Sequence, residues 1–228
     1  MTDSHDAVVA AFDLDGTLTE GGSVFHWLRY LAGSTPTYWA ALHLVVPLTV
    51  GAIRSGAAAD SAKERLFRRL LEGRDLDRVQ AASREFIVEH LAHKSRPHTM
   101  ERLAWHVEQG HEVVIVSASP QIYVDVVAQL LGAQGALGTR LAVDPLEKLT
   151  GGYLGKNCRG SEKLRRLNDW IAQRGYGDSP TIYAYGNSRG DRRMLAAATH
   201  PYDVGKLGRW GSLRHFPRLE VHGPTTAR

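Results

Sequence analysis

The sequence predicts an α/β protein: a parallel sheet with helices on both faces and a helical insertion after the first strand. Three observations predict it. Short apolar runs rich in Val, Ile or aromatic residues recur at Ala7–Phe12, Glu112–Ser117 and Thr181–Tyr185, each followed by small or polar residues. Helical patterns alternate with the later runs, as a parallel sheet requires of its crossovers. Residues 22–96 break that alternation, with helix-like stretches and no convincing strand.

Taken in order, the first strand leads straight into "DLDGT", residues 13–17. Ser23–Leu31, Tyr38–Ile53, Ser61–Leu71 and Leu76–His93 then read as helices, with Gly33–Pro36 and Arg54–Ala59 as their loops. Met100–Gln109 reads as an amphipathic helix ended by Gly110, and Pro120–Leu131 as another ended by Gly132. Ser161–Gly175 begins with Ser161 as a candidate cap and puts Leu164, Leu167, Trp170 and Ile171 on one face. Arg189–Thr199 is the last helix, and Pro217–Arg228 reads as a weakly ordered tail. The expected organisation is a core of residues 1–21 and 97–216, an insert of residues 22–96 and a tail of residues 217–228.

Composition narrows the class. At 228 residues and 43% hydrophobic, the chain can bury a sizeable core. Its formal net charge of +4 favours anionic partners but gives no sign of a nucleic-acid partner, and none is expected. Cys158 is the single cysteine, which excludes an internal disulfide framework and a Cys-rich zinc site. The N-terminus lacks the apolar stretch of a secretory signal, so a cytoplasmic location is expected. Tyr38–Ile53 is apolar but only 16 residues long, and His43, Pro47, Thr49 and Gly51 interrupt it. It falls short of the roughly 20 residues of a membrane span. It reads as a buried or amphipathic helix pair broken near Pro47, with a membrane-surface or lipid contact as the alternative. The basic stretch at residues 205–218, with Trp210 and Phe216, reads as a solvated segment packing its aromatics on the core; peripheral membrane contact is again the alternative. His90 and His93 share a helix without an obvious acidic partner and read as surface residues.

Four places carry chemistry. Asp13 and Asp15 stand at a strand end, where open α/β sheets form their ligand sites. Neighbouring carboxylates raise each other's pKa, so such pairs hold a cation or share acid–base work. Gly16 and Thr17 suit a tight turn with free backbone N–H groups, a setting for an anion. Ser117, Ala118 and Ser119 end the second run, where a hydroxyl and N–H groups at a helix start cradle phosphate; a plain cap serine is the alternative. Lys163 sits in the first turn of a helix, against the dipole preference, as an anion ligand or a solvated lysine. Asn187 and Asp191 follow the third run and offer oxygen atoms to Mg²⁺, or simply an Asx turn and a helix cap.

Strand–DxDGT, strand–Ser, Lys, then strand–G[DN]SxxD, in that order, resembles the haloacid dehalogenase-like hydrolase superfamily. The likeness is strongest to its phosphoserine-phosphatase-type subgroup, which includes phosphatidylglycerophosphatase C-like enzymes. It covers residues 8 to about 203. The resemblance implies a Rossmann-like core with an inserted helical cap, and the long gap between Asp13 and Ser117 is where such a cap fits. It implies hydrolysis of a phosphate monoester, with Asp13 as nucleophile and Asp15 as general acid and base. Ser117, Ala118, Lys163, Gly16 and Thr17 would bind phosphate. Mg²⁺ would be held by Asp13, the Asp15 carbonyl, Asn187 and Asp191. The substrate would be a phosphorylated metabolite or lipid; phosphotransfer and non-catalytic phosphate binding are the rival readings. Two positions depart from the pattern. Asn187 stands where the fourth motif carries a metal-binding aspartate. Gly22 stands where phosphoserine phosphatases place an acidic residue, Glu20 lying two positions earlier.

Overall fold

The first apolar run forms β1 (Val8–Phe12), the middle strand of a five-stranded sheet. The computed structural model describes residues 7–40, 56–176, 180–206 and 211–220. On one side β1 pairs with β2 (Glu112–Pro120), and β2 with β3 (Gly135–Thr139). On the other side β1 pairs with β6 (Thr181–Gly186), and β6 with β7 (His200–Asp203). Every pairing is parallel, in the order β3-β2-β1-β6-β7. The chain fills one half of the sheet, then the other, so the order reverses at β1. Crevices for ligands form beyond the strand C-termini at such a reversal.

Both faces of β1 are covered, which explains its unbroken apolar run. Ala10 and Phe12 enter one core with Tyr123 and Tyr185. Val9 and Ala11 enter a second with Leu167, Ile171, Met194 and Leu195. Phe12 stacks on Tyr185 at 4.3 Å and Tyr185 on Tyr202 at 5.2 Å, so one aromatic row ties β1, β6 and β7.

The cap lies between β1 and β2 and is helical. It contains α1 (Val24–Ala32), α2 (Gly56–Leu71) and α3 (Leu76–Lys94); residues 34–40 are helical too. The core contributes α4 (Pro97–Glu108), α5 (Gln121–Leu130), α6 (Ser161–Arg174) and α7 (Arg192–Ala196). Trp27 anchors the cap: it is fully buried, its Nε1 donates to Ser83 at 2.8 Å, and its ring meets Phe67 and Tyr123.

Several local expectations are corrected. The loop expected at Arg54–Ala59 is already helix from Gly56, and Gly33–Pro36 gives way to helix at Ser34. Ser161 is the first helical residue rather than the cap; Gly160 holds the cap position with φ +60°. The helix expected at Arg189–Thr199 is a 3₁₀ turn, Arg189–Asp191, followed by the short α7. The expected tail begins ordered: Pro217 accepts from the Asp203 N–H at 2.7 Å and Arg218 pairs with Asp203. The helix pair expected around Pro47, like Trp210 and residues 221–228, lies largely or wholly outside the described residues.

Besides the edge strands β3 and β7, one further element was absent from the sequence reading. An antiparallel hairpin, β4 (Leu141–Val143) and β5 (Leu149–Tyr153), fills the gap between β3 and α6 and docks on α2. At Gly151 (φ +73°) a Cβ would lie 2.2 Å from the Arg68 Cα, so only glycine allows this approach. Among the described residues no helix is long and apolar enough to cross a membrane.

Candidate active site

Asp13 is the first residue beyond β1, and its N–H donates to the Tyr185 carbonyl at 3.0 Å, locking it to β6. Its buried carboxylate accepts from Thr17 Oγ1 at 3.0 Å and from Lys163 Nζ at 2.6 Å. The same Nζ donates to Asp191 Oδ1 at 2.5 Å. Asp191 Oδ2 accepts from the Asn187 and Ser188 N–H groups, at 3.2 and 3.0 Å, and from the Ser188 hydroxyl at 2.9 Å. Lys163 is only 2% exposed, so it is a buried counter-ion and not the solvated lysine of the alternative reading. Asp191 also completes a capping box with Ser188, the structural role weighed for it beside metal binding.

The electrostatics follow from this packing. Burial first, and then the Asp191 charge, push the Asp13 carboxyl up to about 7 against the pull of Lys163. Burial opposes the Lys163 charge, but Asp13 and Asp191 outweigh it and raise its pKa above the ordinary lysine value. Two carboxylates around one ammonium leave an excess of negative charge when all are ionised.

That excess fits a cation. Asn187 Oδ1 is buried and has no hydrogen-bond partner among the described residues. Its carboxamide lies over Gly16, where a Cβ would come within 1.8 Å of Nδ2, so glycine at φ +82° makes the room. Asp13, Asp191, Asn187 and the Asp15 carbonyl would offer oxygen donors only, the chemistry Mg²⁺ prefers. Among the described residues no group of three or more His, Cys, Asp or Glu is arranged to hold a metal ion, so any cation here would draw on amide and backbone oxygens as well. A cavity of about 610 Å³ opens here, lined by Asp15, Gly16, Asn187, Ser188, Asp203 and Lys206 among others.

Asp15 is held by two serines rather than by Lys163. Its Oδ1 accepts from the Ser23 N–H at 2.7 Å and its Oδ2 from Ser119 Oγ at 2.5 Å. Ser23 Oγ in turn lies 2.9 Å from the Tyr123 hydroxyl. Ser117 is buried on β2, where its Oγ accepts from the Ser119 N–H at 3.1 Å. It caps no helix, because β2 runs on to Pro120 and α5 starts at Gln121. The Ala118 carbonyl accepts from Lys63 Nζ at 2.5 Å and from Thr139 Oγ1 at 2.7 Å.

The turn after Asp13 corrects another expectation. The Gly16 N–H donates to the Thr19 carbonyl at 2.8 Å and the Thr17 N–H to that of Leu14 at 3.2 Å, so neither is free for an anion. Sequence reasoning missed the supports of this turn: Arg96, which donates to the Gly16 carbonyl, and Thr99, which donates to that of Thr17 at 2.7 Å. It also gave no role to Ser119, although two residues from Ser117 on a strand means the same face. Lys63 carried no signal among the polar residues of α2.

The model of the haloacid dehalogenase-like hydrolases matches residues 10–196. The chain belongs to that family. This hydrolase is 31% identical over 196 residues to protein CicA of Caulobacter vibrioides, covering 85% of this chain and 84% of that one. It is 25% identical over 201 residues to a histidinol-phosphatase of Neisseria meningitidis, covering 86% and 89%. Its fold matches a solved phosphoserine phosphatase, captured as a phospho-aspartyl intermediate analogue, with a TM-score of 0.59 and 18% identity over 87% of this chain and 86% of that one. The fold and the motif order agree with the phosphoserine-phosphatase-type subgroup.

Proposed function

We propose that this hydrolase releases inorganic phosphate from phosphate monoesters through an aspartyl-phosphate on Asp13, with Mg²⁺ as cofactor. The observation that carries the reading is the buried ammonium of Lys163, held between Asp13 and Asp191 beyond the sheet's C-terminal edge. An Asp13 carboxylate oxygen attacks phosphorus, the ester P–O bond breaks, and Asp15 protonates the leaving alkoxide. Asp15 then takes a proton from water as that water attacks phosphorus, and the bond to Asp13 breaks. Ser117 Oγ, the Ala118 N–H and Lys163 Nζ bind the phosphoryl oxygens, where transition-state charge is spread. Gly16 and Thr17 shape the turn, Thr17 by its hydroxyl on Asp13. Ser23 and Ser119 aim the Asp15 carboxylate. When bound, Mg²⁺ offsets the carboxylate charge and polarises a phosphoryl oxygen.

The alcohol half of the substrate is open to a small metabolite or a lipid, since the names of the related proteins point to different alcohols. The test is release of inorganic phosphate from a panel of soluble and lipid phosphate monoesters, with and without Mg²⁺, beside the Asp13→Asn variant. Magnesium-dependent release that Asp13→Asn abolishes is expected. Full release by folded Asp13→Asn would overturn the mechanism.

A further inference from the structure

The cap holds a second cavity, about 370 Å³, between α1 and α3. Its two helices are rooted on the turn that follows Asp15. At the start of α1 the Ser23 N–H holds Asp15 itself. At the end of α3 the Lys94 carbonyl accepts from the Glu20 N–H at 2.7 Å, and Ser95 bridges to Thr19. His26 stands one turn into α1 and His90 one turn before Lys94, with ring centroids 6.2 Å apart. Asp15 is close enough for its charge to act on His90. The cleft therefore borders the turn that carries Asp15, on the side where the leaving oxygen would take its proton.

Setting the histidines aside, the lining carries one net positive charge, Arg29 and Lys94 against Glu89. Arg29, His26, His90, His93 and Lys94 face it, opposed by Glu89. His90 was expected on the surface but is 8% exposed and stacks on Phe86 at 5.2 Å; burial lowers its pKa below that of a free histidine. Two polar atoms of this lining, Arg29 Nε and His90 Nε2, are buried with no hydrogen-bond partner among the described residues. Buried polar groups are nearly always paired, so two unpaired ones beside one cavity call for a missing acceptor. A guanidinium offers a planar fork that fits carboxylate or phosphate, and it lies here over the Tyr38 ring at 5.6 Å.

We propose that the α1–α3 cleft is the subsite for the alcohol half of the substrate, and that this half carries a second anion, a carboxylate or a further phosphate, bound by Arg29 with His26 and Lys94 beside it. This rests on the phosphatase reading above. An acyl chain does not suit a cleft so lined, because its charged groups would lose water without gaining partners.

The test is calorimetric binding to the Asp13→Asn variant, with Mg²⁺ present, of three esters. These are glycerol 3-phosphate; glycerate 3-phosphate, in which a carboxylate replaces its terminal hydroxymethyl; and propane-1,3-diol bisphosphate. At least one of the two esters with a second anion should bind about 10-fold or more tighter than glycerol 3-phosphate, as a site built for a polar group discriminates against its absence. The winner tells carboxylate from phosphate. Adding Arg29→Gln should cut the ratio to about threefold or less; Lys94→Gln, at an exposed position, should cut it partly even where Arg29→Gln does not fold. Equal affinities, no measurable binding, or a preference that survives both substitutions would overturn the proposal. Wild-type turnover of 4-nitrophenyl phosphate is the separate arm: its absence sinks the phosphatase reading, while the binding ratio still judges the cleft.

Discussion

The charged groups of the pit beyond β1 and the buried polar groups of the cleft in the cap are in opposite states, Asn187 Oδ1 being the unpaired atom of the pit among the described residues. In the pit, Lys163 is matched by two carboxylates, and Asp191 by three donors besides Lys163. In the cleft, Arg29 Nε and His90 Nε2 are matched by nothing described. A prebuilt pit serves a chemistry that does not change between substrates. An unmatched cleft leaves its satisfaction to whatever alcohol arrives. On the proposed function, the difference divides the part of the molecule that would perform the reaction from the part that would select its substrate.

The largest effect should come from breaking the matched side. Lys163→Ala leaves Asp13 and Asp191 buried without a counter-charge, and removing one partner of such a set costs about 3–5 kcal/mol. Urea unfolding should show that loss. The same measurement on Arg29→Gln should show less than about 1 kcal/mol, since the ring contact with Tyr38 is the interaction it gives up. Equal losses at both positions would erase the contrast.

Next comes the seat of the cap. Gly151→Ala drives a Cβ into the Arg68 backbone at a positive φ, and should cost about 1–3 kcal/mol in thermal or urea unfolding. An unchanged midpoint would mean that the β4–β5 hairpin does not hold α2.

A third buried cluster sharpens the comparison through pH. His106 lies under β1 and β6, 2.8 Å from the Tyr185 hydroxyl and 2.7 Å from His111 Nδ1. Burial first, then the His111 and Arg102 charges, lowers its pKa to about 3. The unfolded chain protonates this ring near pH 6.5, so the unfolded state binds more protons between the two values. Its contribution to stability is therefore intact above about pH 6.5 and lost as pH falls towards 3, by at most about 1.4 kcal/mol per pH unit. Unfolding titrations of wild type and His106→Asn should differ in slope across that window; parallel slopes would reject the assignment.

The sequence carried most of the sheet, because β1, β2 and β6 are interior strands whose buried runs are largely apolar. It did not carry β3, "GALGT", or β7, "HPYD", which lie at the sheet edges and lack that pattern. The site was legible where chemistry constrains neighbours in sequence: Asp13 with Asp15, and Asn187 with Asp191. Lys163 showed itself by standing against its helix dipole. Lys63, Arg96 and Thr99 were invisible, because each acts through a backbone carbonyl that tertiary packing brings within reach. The cleft was hidden for the same reason: His26 and His90 stand 64 residues apart and meet only when α1 packs on α3.

The smallest expected change concerns the cation. Asn187→Asp adds a carboxylate where Asn187 Oδ1 is unpaired, and ligand charge tunes divalent affinity. The magnesium concentration for half-maximal phosphate release should fall several-fold. An unchanged or higher value would remove Asn187 from the ligand set.

The central claim is the covalent step on Asp13. Wild-type enzyme mixed with a ³²P-labelled phosphate monoester that it turns over, quenched in acid and digested, gives the direct measurement. Hydroxylamine-labile label is expected on the peptide containing Asp13, and none from Asp13→Asn. Rapid turnover with no label on that peptide would contradict it.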